Sequence, residues 1–198
     1  PEKTQRQIEW LQARPDYGMA LCDVVRMDAE HRDVELFSRR ELLPEDGMIL
    51  KWVLVQPALV PASVMMRREV FETVGGFDET LATGEDLDFH LRVAARWPIG
   101  IVEQPLVRAM RGQASLARTY DDYVRVIERA VALAAGSVSE VDRHRALARA
   151  YARNARGMVY LRRWQAAWEL ARKAWRLEPE AAARRELLGL MPLAARRI

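Results

Sequence analysis

The sequence predicts an α/β fold followed by an all-α extension, and three observations predict it. Short apolar runs rich in β-formers alternate with segments of helical period as far as about residue 118. Beyond Thr119 only helical periods remain. The charge also divides along the chain: residues 1–136 carry 17 Lys+Arg against 22 Asp+Glu, whereas residues 137–198 carry 14 against 6, so a net of −5 gives way to +8.

Pro1 and Glu2 suit a first helical turn, Ile8, Trp10 and Leu11 supply its apolar stripe, and the run from Arg14 to Gly18 stops it. Residues 19–25 are apolar, bounded by turn residues, and read as a buried strand. Residues 26–47 are polar and end in a Pro-Glu-Asp-Gly turn, which reads as a surface excursion. The stretch 48–66 is the most membrane-like of the chain. It contains Lys51, Gln56, Pro57 and Pro61 and falls short of the ~20 apolar residues of a spanning helix, so it reads as buried segments of a soluble fold.

A second strand is expected over residues 62–67 and a short helix over 68–73, ended by Gly75-Gly76, a pair suited to positive φ or close backbone approach. After a loop holding Thr83-Gly84, residues 85–97 have helical period, with Leu87, Leu91 and Ala94 on one face and Glu85 and Asp86 in the first turn, where carboxylates suit the helix dipole. Pro98 and Gly100 close that helix. A third strand follows over 101–107, and Pro105 marks it as an edge strand or one that ends early.

Four helices are expected in the extension: 120–135, broken by Gly136-Ser137; one from Ser139 to about residue 161; about 164–177, ended by Pro179; and about 180–189. Trp164, Trp168 and Trp175 sit four and seven residues apart and are expected to form the core of a hairpin. The alternation of Ala150, Tyr151, Ala155, Tyr160, Ala166, Ala171, Ala174, Leu177 and Pro179 resembles one tetratricopeptide unit, and a single unit needs the α/β body to pack on.

The composition excludes several function classes. Half the residues are apolar and 30% are charged, which rules out a disordered or collagen-like chain. The single cysteine, Cys22, rules out an intrachain disulfide and a cysteine-based zinc site, and fits a reducing, cytoplasmic location. Only Lys3, Lys51 and Lys173 among the 31 basic residues are lysine, and Asn154 is the one asparagine. The arginine content therefore reflects a compositional bias more than selection for phosphate. Nucleic-acid recognition gets no support, because no zinc finger, aromatic RNA-binding run or glycine-rich clamp accompanies the arginines. A basic extension of this kind equally suits an anionic membrane surface, giving a cytoplasmic protein peripheral to the membrane. The start at Pro1, with no initiator methionine or leader-type run, reads as a cut.

The chemistry-bearing stretch is Thr83-Gly84-Glu85-Asp86-Leu87-Asp88. Adjacent carboxylates at a helix start can project into a cleft, and the neighbouring charge raises one pKa toward the range of a general base. The same pair is also an ordinary acidic first turn. His90, four residues after Asp86, faces it or is simply a satisfied core histidine.

The order of motifs adds to this. Pro1-Glu2-Lys3 with Gln7, Gly18 to Asp23, Pro61 to Arg68 with Val70-Phe71, Gly75-Gly76-Phe77-Asp78-Glu79, Glu85-Asp86 with Asp88 and Arg92, and Pro105 to Arg108 together resemble the family 2 glycosyltransferases over about residues 1–118, most specifically from Pro61 through Arg92. The resemblance implies a GT-A fold, here a partial mixed sheet with flanking helices. It also implies inverting transfer of a sugar from a nucleotide-sugar donor to a saccharide, lipid-linked or protein acceptor. It makes residues 1–118 the acceptor-side half, with 119–198 as the helical extension. Asp86 maps onto the usual base. Glu85, Gly76 and Asp78 map onto sugar contacts and the pocket floor, and residues 47–61 onto the acceptor side. A divalent metal, Mg or Mn, is implied with its Asp-x-Asp motif upstream of Pro1, so no metal ligand is expected in this chain and the isolated chain is expected to be inactive. The family's loop histidine is missing: the loop holds Arg108 and Arg111, which pair with diphosphate oxygens or are solvated. The alternative from another class is a helical protein-interaction module, or a basic tail, on an inactive α/β scaffold.

Overall fold

A computed structural model describes residues 2–40, 43–55, 60–110 and 120–177, and the chain divides into two units, Pro1–Asp78 with Asp86–Gln113, and Glu79–Glu85 with Ala114–Ile198. The first unit is mixed α/β. Its elements are α1 (Glu2–Gln12), β1 (Met19–Met27), β2 (Asp33–Leu36), α2 (Phe37–Arg40), α3 (Leu50–Val55), β3 (Val64–Met66), α4 (Arg68–Val74), α5 (Glu85–Ala94, Glu85 itself counted with the second unit) and β4 (Ile99–Met110).

β1 is the centre of a four-stranded mixed sheet. Its first half pairs antiparallel with β3 and its second half antiparallel with β2, while β4 runs parallel along its other side. Met19, Ala20, Leu21, Cys22 and Val24 of β1 are all buried, so this strand reads as a continuous apolar run and not an alternation. Val70, Phe89, Leu91, Val93 and Ile99 complete the core around it.

Side chains at a distance in sequence lock these layers. Gln7 of α1 is fully buried and donates from Nε2 to the carbonyls of Ala20 (3.0 Å) and Ser63 (2.7 Å), and Lys3 reaches the carbonyl of Val64 (3.2 Å). Arg67 donates to the carbonyls of Leu11 (2.6 Å) and Tyr17 (2.9 Å). The Leu11 carbonyl lies in the last turn of α1 and also accepts the N–H of Arg14 at 3.1 Å, so the cation adds a second donor at the negative end of the helix dipole. A Cβ at Gly100 would stand 1.8 Å from the Trp10 ring, so any other residue there forces that ring to move.

The structure adds detail to two expectations for this unit, the surface excursion over 26–47 and the last strand. The excursion over 26–47 is partly ordered: Asp28 Oδ1 accepts from the backbone N–H of Glu30 and Arg32, the chain turns at His31 (φ 62°), and β2 returns against β1. β2 and α2 escape a periodicity reading because β2 has two exposed and two half-buried residues with no alternation. β4 is an edge strand as Pro105 suggested, pairing with β1 as its one named strand partner among the described residues, but it does not stop at 107 and runs through Pro105 to Met110. It does so by shifting register on either side of the Asp23–Pro105 pair, so that the residue lacking an N–H sits at the irregularity.

From residue 120 on, the described part of the second unit is built of helices, α6 (Tyr120–Leu133), α7 (Glu140–Tyr160) and α8 (Trp164–Leu177). Ser139 caps α7, accepting from the N–H of Asp142 and donating to its carboxylate at 2.6 Å. α7 packs between the other two: Tyr151 donates to Glu128 of α6 at 2.6 Å and lies under Lys173 of α8. Burial and the Glu128 charge push the Tyr151 phenol up to about 12. Between its two neighbours α7 buries mostly small residues, Ala146, Ala148, Ala150, Ala152, Ala155 and Gly157 among them, and α8 buries Ala167 and Ala174.

The expected tryptophan core is overturned. Trp164, Trp168 and Trp175 are 50, 67 and 50% exposed, because α7 offers a surface of alanines that fits the alanine face of α8. The expected helix at 180–189 lies outside the described residues. Among the described residues no helix is long and apolar enough to cross a membrane.

Candidate functional site

α4 ends where Gly75 takes φ 79° and its N–H bonds back to the carbonyl of Phe71. Only glycine adopts that conformation freely. The chain then passes through Gly76, Phe77 and Asp78. This turn is held by α5: Arg92 donates from Nη1 to the carbonyl of Val74 and from Nη2 to that of Gly76 (2.8 Å), while its Nε pairs with Asp88 Oδ2 at 2.9 Å. Arg96 adds a bond to the carbonyl of Thr73 at 2.9 Å. Arg92 of α5 and Arg96 in the turn after it thus satisfy the carbonyls of Thr73 and Val74 at the end of α4 and that of Gly76 just beyond it. Phe77 lies over Phe89 at 5.0 Å, and Phe71 approaches the same ring at 5.7 Å, so the turn also rests on an aromatic base.

Asp86 stands in the first turn of α5, half-buried, with Oδ1 accepting from the N–H of Leu87 at 2.7 Å. His90, one turn on, is buried. Desolvation holds its imidazole below the ordinary 6.5, partly opposed by the Asp86 carboxylate, so His90 is neutral near pH 7 and is a core histidine. Glu85 is exposed at the start of the helix.

The expected site residues separate into groups. Gly76 is joined to the helix that carries Asp86, and half-buried Asp78 follows in the same turn. Arg108 lies on β4, not in the loop beyond it, and pairs with Asp33 of β2 at 2.9 Å on an exposed surface. Arg111 and the rest of the 111–115 loop lie outside the described residues. Among the described residues no group of three or more His, Cys, Asp or Glu is placed to hold a metal ion.

A cleft of about 470 Å³ opens between Pro44–Asp46 and α3, floored by Ile49, Trp52 and Val55. Asp46 at its rim accepts from the N–H of Ile101 at 2.6 Å, and Gly47 bridges to Ile99, which fixes this segment beside the start of β4.

Sequence reading named Asp88 and Arg92 without giving them a task. Their i,i+4 spacing is the signal for an ion pair, but nothing in it shows that the guanidinium has two carbonyls left to find. Asp23 went unremarked: buried on β1, it accepts from the Ser38 hydroxyl at 2.6 Å and from the N–H of Ser38, anchoring α2. No protein-family model matches the chain, and a comparison with curated proteins finds no match.

Proposed function

We propose that residues 1–118 are the acceptor-side half of a GT-A glycosyltransferase of the family 2 type, which transfers a sugar from a nucleotide-sugar donor with inversion. Residues 119–198 are its helical, tetratricopeptide-like extension. The observation that carries the reading is the Arg92 clamp, because it joins Gly75-Gly76-Phe77-Asp78 to the helix of Glu85-Asp86, the two most specific pieces of the resemblance. Lys3, Gln7 and Arg67, from the other pieces, likewise bond to backbone groups far away in sequence.

In this reading Asp86 takes the proton of an acceptor hydroxyl as its oxygen bonds to the anomeric carbon. The bond from that carbon to the nucleotide diphosphate breaks on the opposite face, and its electron pair leaves with the diphosphate. A fixed carboxylate supplies both the proton transfer and the alignment. Glu85, Gly76 and Asp78 contact sugar hydroxyls, and the cleft under Pro44–Asp46 belongs to the acceptor side. Arg108 reaches a diphosphate only by giving up Asp33, so Arg111 is the better placed in sequence for that task. The acceptor is a saccharide, lipid-linked or protein group met at the cytoplasmic face of a membrane. The divalent metal, Mg or Mn, that the resemblance implies is assigned to residues upstream of Pro1. The described residues offer no set of donors for it, and no step above is routed through it.

The test is Asp86→Asn in the longer enzyme that contains this chain. Turnover should fall by about 10²–10⁴ while nucleotide-sugar binding stays unchanged, because the base is lost and the diphosphate contacts are not. Near-normal turnover, or a preceding sequence without an Asp-x-Asp motif, overturns the reading, as does robust transfer by the 198-residue chain alone.

A further inference from the structure

The chain leaves the first unit after Asp78 and re-enters it at Asp86, and the residues between, Glu79–Glu85, belong to the second unit together with α6. Residues 79–84 form neither helix nor strand, so their backbone groups find no partners in a ladder. Asp122 of α6 supplies one: its Oδ2 accepts the N–H of Ala82 at 2.9 Å, while its Oδ1 pairs with Arg125 at 3.1 Å. Arg125 also meets the carbonyl of Thr80 at 3.4 Å, a longer and weaker contact. Leu81, between these two ties, is buried. Gly84 passes beside the same turn of α6, since a Cβ there would stand 3.9 Å from Cγ2 of Val126.

Residues 80–84 are therefore held by Asp122, Arg125 and Val126, which share one face of α6. The Asp122 side chain is 17% exposed, so its bond to the Ala82 N–H is charge-assisted and partly shielded from water. The hold ends one residue before Glu85 and two before Asp86. Asp86 Oδ1 is committed to the N–H of Leu87, so the direction of its carboxylate follows the first turn of α5. That turn begins where the held loop ends. A misplacement of about 1 Å at a reacting group costs up to about 10²-fold in rate, so a hold on this loop has a consequence for chemistry at Asp86.

We propose that Asp122 and Arg125 are positioning residues of the candidate site: α6 holds the 80–84 loop and thereby sets the entry of α5, with Glu85 and Asp86 in its first turn. The effect on turnover rests on the glycosyltransferase reading; the hold on the loop does not. Amide exchange in the 198-residue chain reads the hold directly. Asp122→Ala should speed exchange at Ala82 at least about tenfold and at Leu87 about threefold, with Leu21 and Ile101 in the sheet unchanged. Asp122→Asn keeps an acceptor oxygen, so Ala82 should stay within about threefold of the parent rate. Arg125→Ala removes a 45% exposed side chain, so it should leave melting unchanged while speeding Ala82 about threefold. In the longer enzyme Asp122→Ala should lower kcat at least about tenfold and leave KM for the nucleotide sugar within about twofold, and Asp122→Asn should restore most of the loss. Added to Asp86→Asn, it should cost less than about twofold more, because it acts through a base already removed. Unchanged exchange at Ala82 or Leu87 in Asp122→Ala, an unchanged kcat beside an impaired Asp86→Asn, or losses that add in full in the double variant would each overturn the proposal. Near-normal turnover of Asp86→Asn would overturn the glycosyltransferase reading instead, and faster exchange at Ala82 and Leu87 would still establish the hold of α6 on the loop.

Discussion

Asp88 and Arg92 form an ion pair across one turn of α5, Oδ2 to Nε at 2.9 Å, and the same guanidinium donates to the carbonyls of Val74 and Gly76. The pair is therefore a clamp between two helices. Arg92→Ala leaves the Asp88 carboxylate, 10% exposed, and two carbonyls without their donor, which should cost about 2–4 kcal/mol in urea unfolding. Arg92→Lys keeps the charge but has no planar fork, so it should recover less than half of that loss. An unchanged urea midpoint for Arg92→Ala would show that the clamp holds nothing.

Trp10 and Gly100 are matched as ring and vacancy. A Cβ at residue 100 would lie 1.8 Å from Cη2 of Trp10, and the ring is fixed by edge contact with Tyr17 at 5.0 Å and by Arg14 stacked over it at 4.3 Å. Gly100→Ala should therefore destabilise the first unit by about 1–3 kcal/mol through overpacking. In a Trp10→Leu background the same substitution should be nearly silent. A double-mutant cycle with no coupling between the two positions would refute the contact.

The contrast between these two sites and α8 shows which parts of the fold the amino-acid order discloses. The helix at Glu85, the stop at Gly75-Gly76 and the cap at Ser139 rest on local chemistry, so they can be read residue by residue. The Trp stripe cannot. α8 has two adjacent apolar sectors, one of alanine and one of tryptophan, and periodicity ranks the larger side chains as core, whereas the alanines of α7 select the smaller ones. β2 was hidden for the opposite reason, since its two exposed and two half-buried residues do not alternate. At the candidate site, Asp86 and Gly76 were legible as motif positions. The carbonyl targets of Arg92, and the Asp33 partner of Arg108, depend on tertiary placement that spacing does not encode.

Cys22 is buried on β1 among Leu11, Ala20 and Val102, and burial pushes its thiol above the ordinary value. Only the thiolate reacts with iodoacetamide. At about pH 8 the native chain should therefore label through unfolding alone, about three orders of magnitude more slowly than the chain in denaturant. Labelling of the folded protein at the denatured rate would mean that β1 is not the central strand.

His90 gives the first unit an acid-sensitive term. Its folded-state pKa lies below the ordinary 6.5 because the imidazole is desolvated. An unfolded chain then binds the proton more readily than the folded one between those two values, so stability is present above the unfolded pKa and is lost as the pH falls through 6.5 toward the folded value. His90→Gln should flatten that limb of a urea-midpoint profile. Asp86 acts in the other direction, since its carboxylate favours the charged imidazole. Asp86→Asn should thus lower the folded pKa further and deepen the loss on acidification, an effect measurable in this chain without any substrate. If Asp86→Asn leaves the acid limb unchanged, the two side chains do not sense each other, and a shallower limb would mean that the Asp86 carboxylate does not favour the charged imidazole.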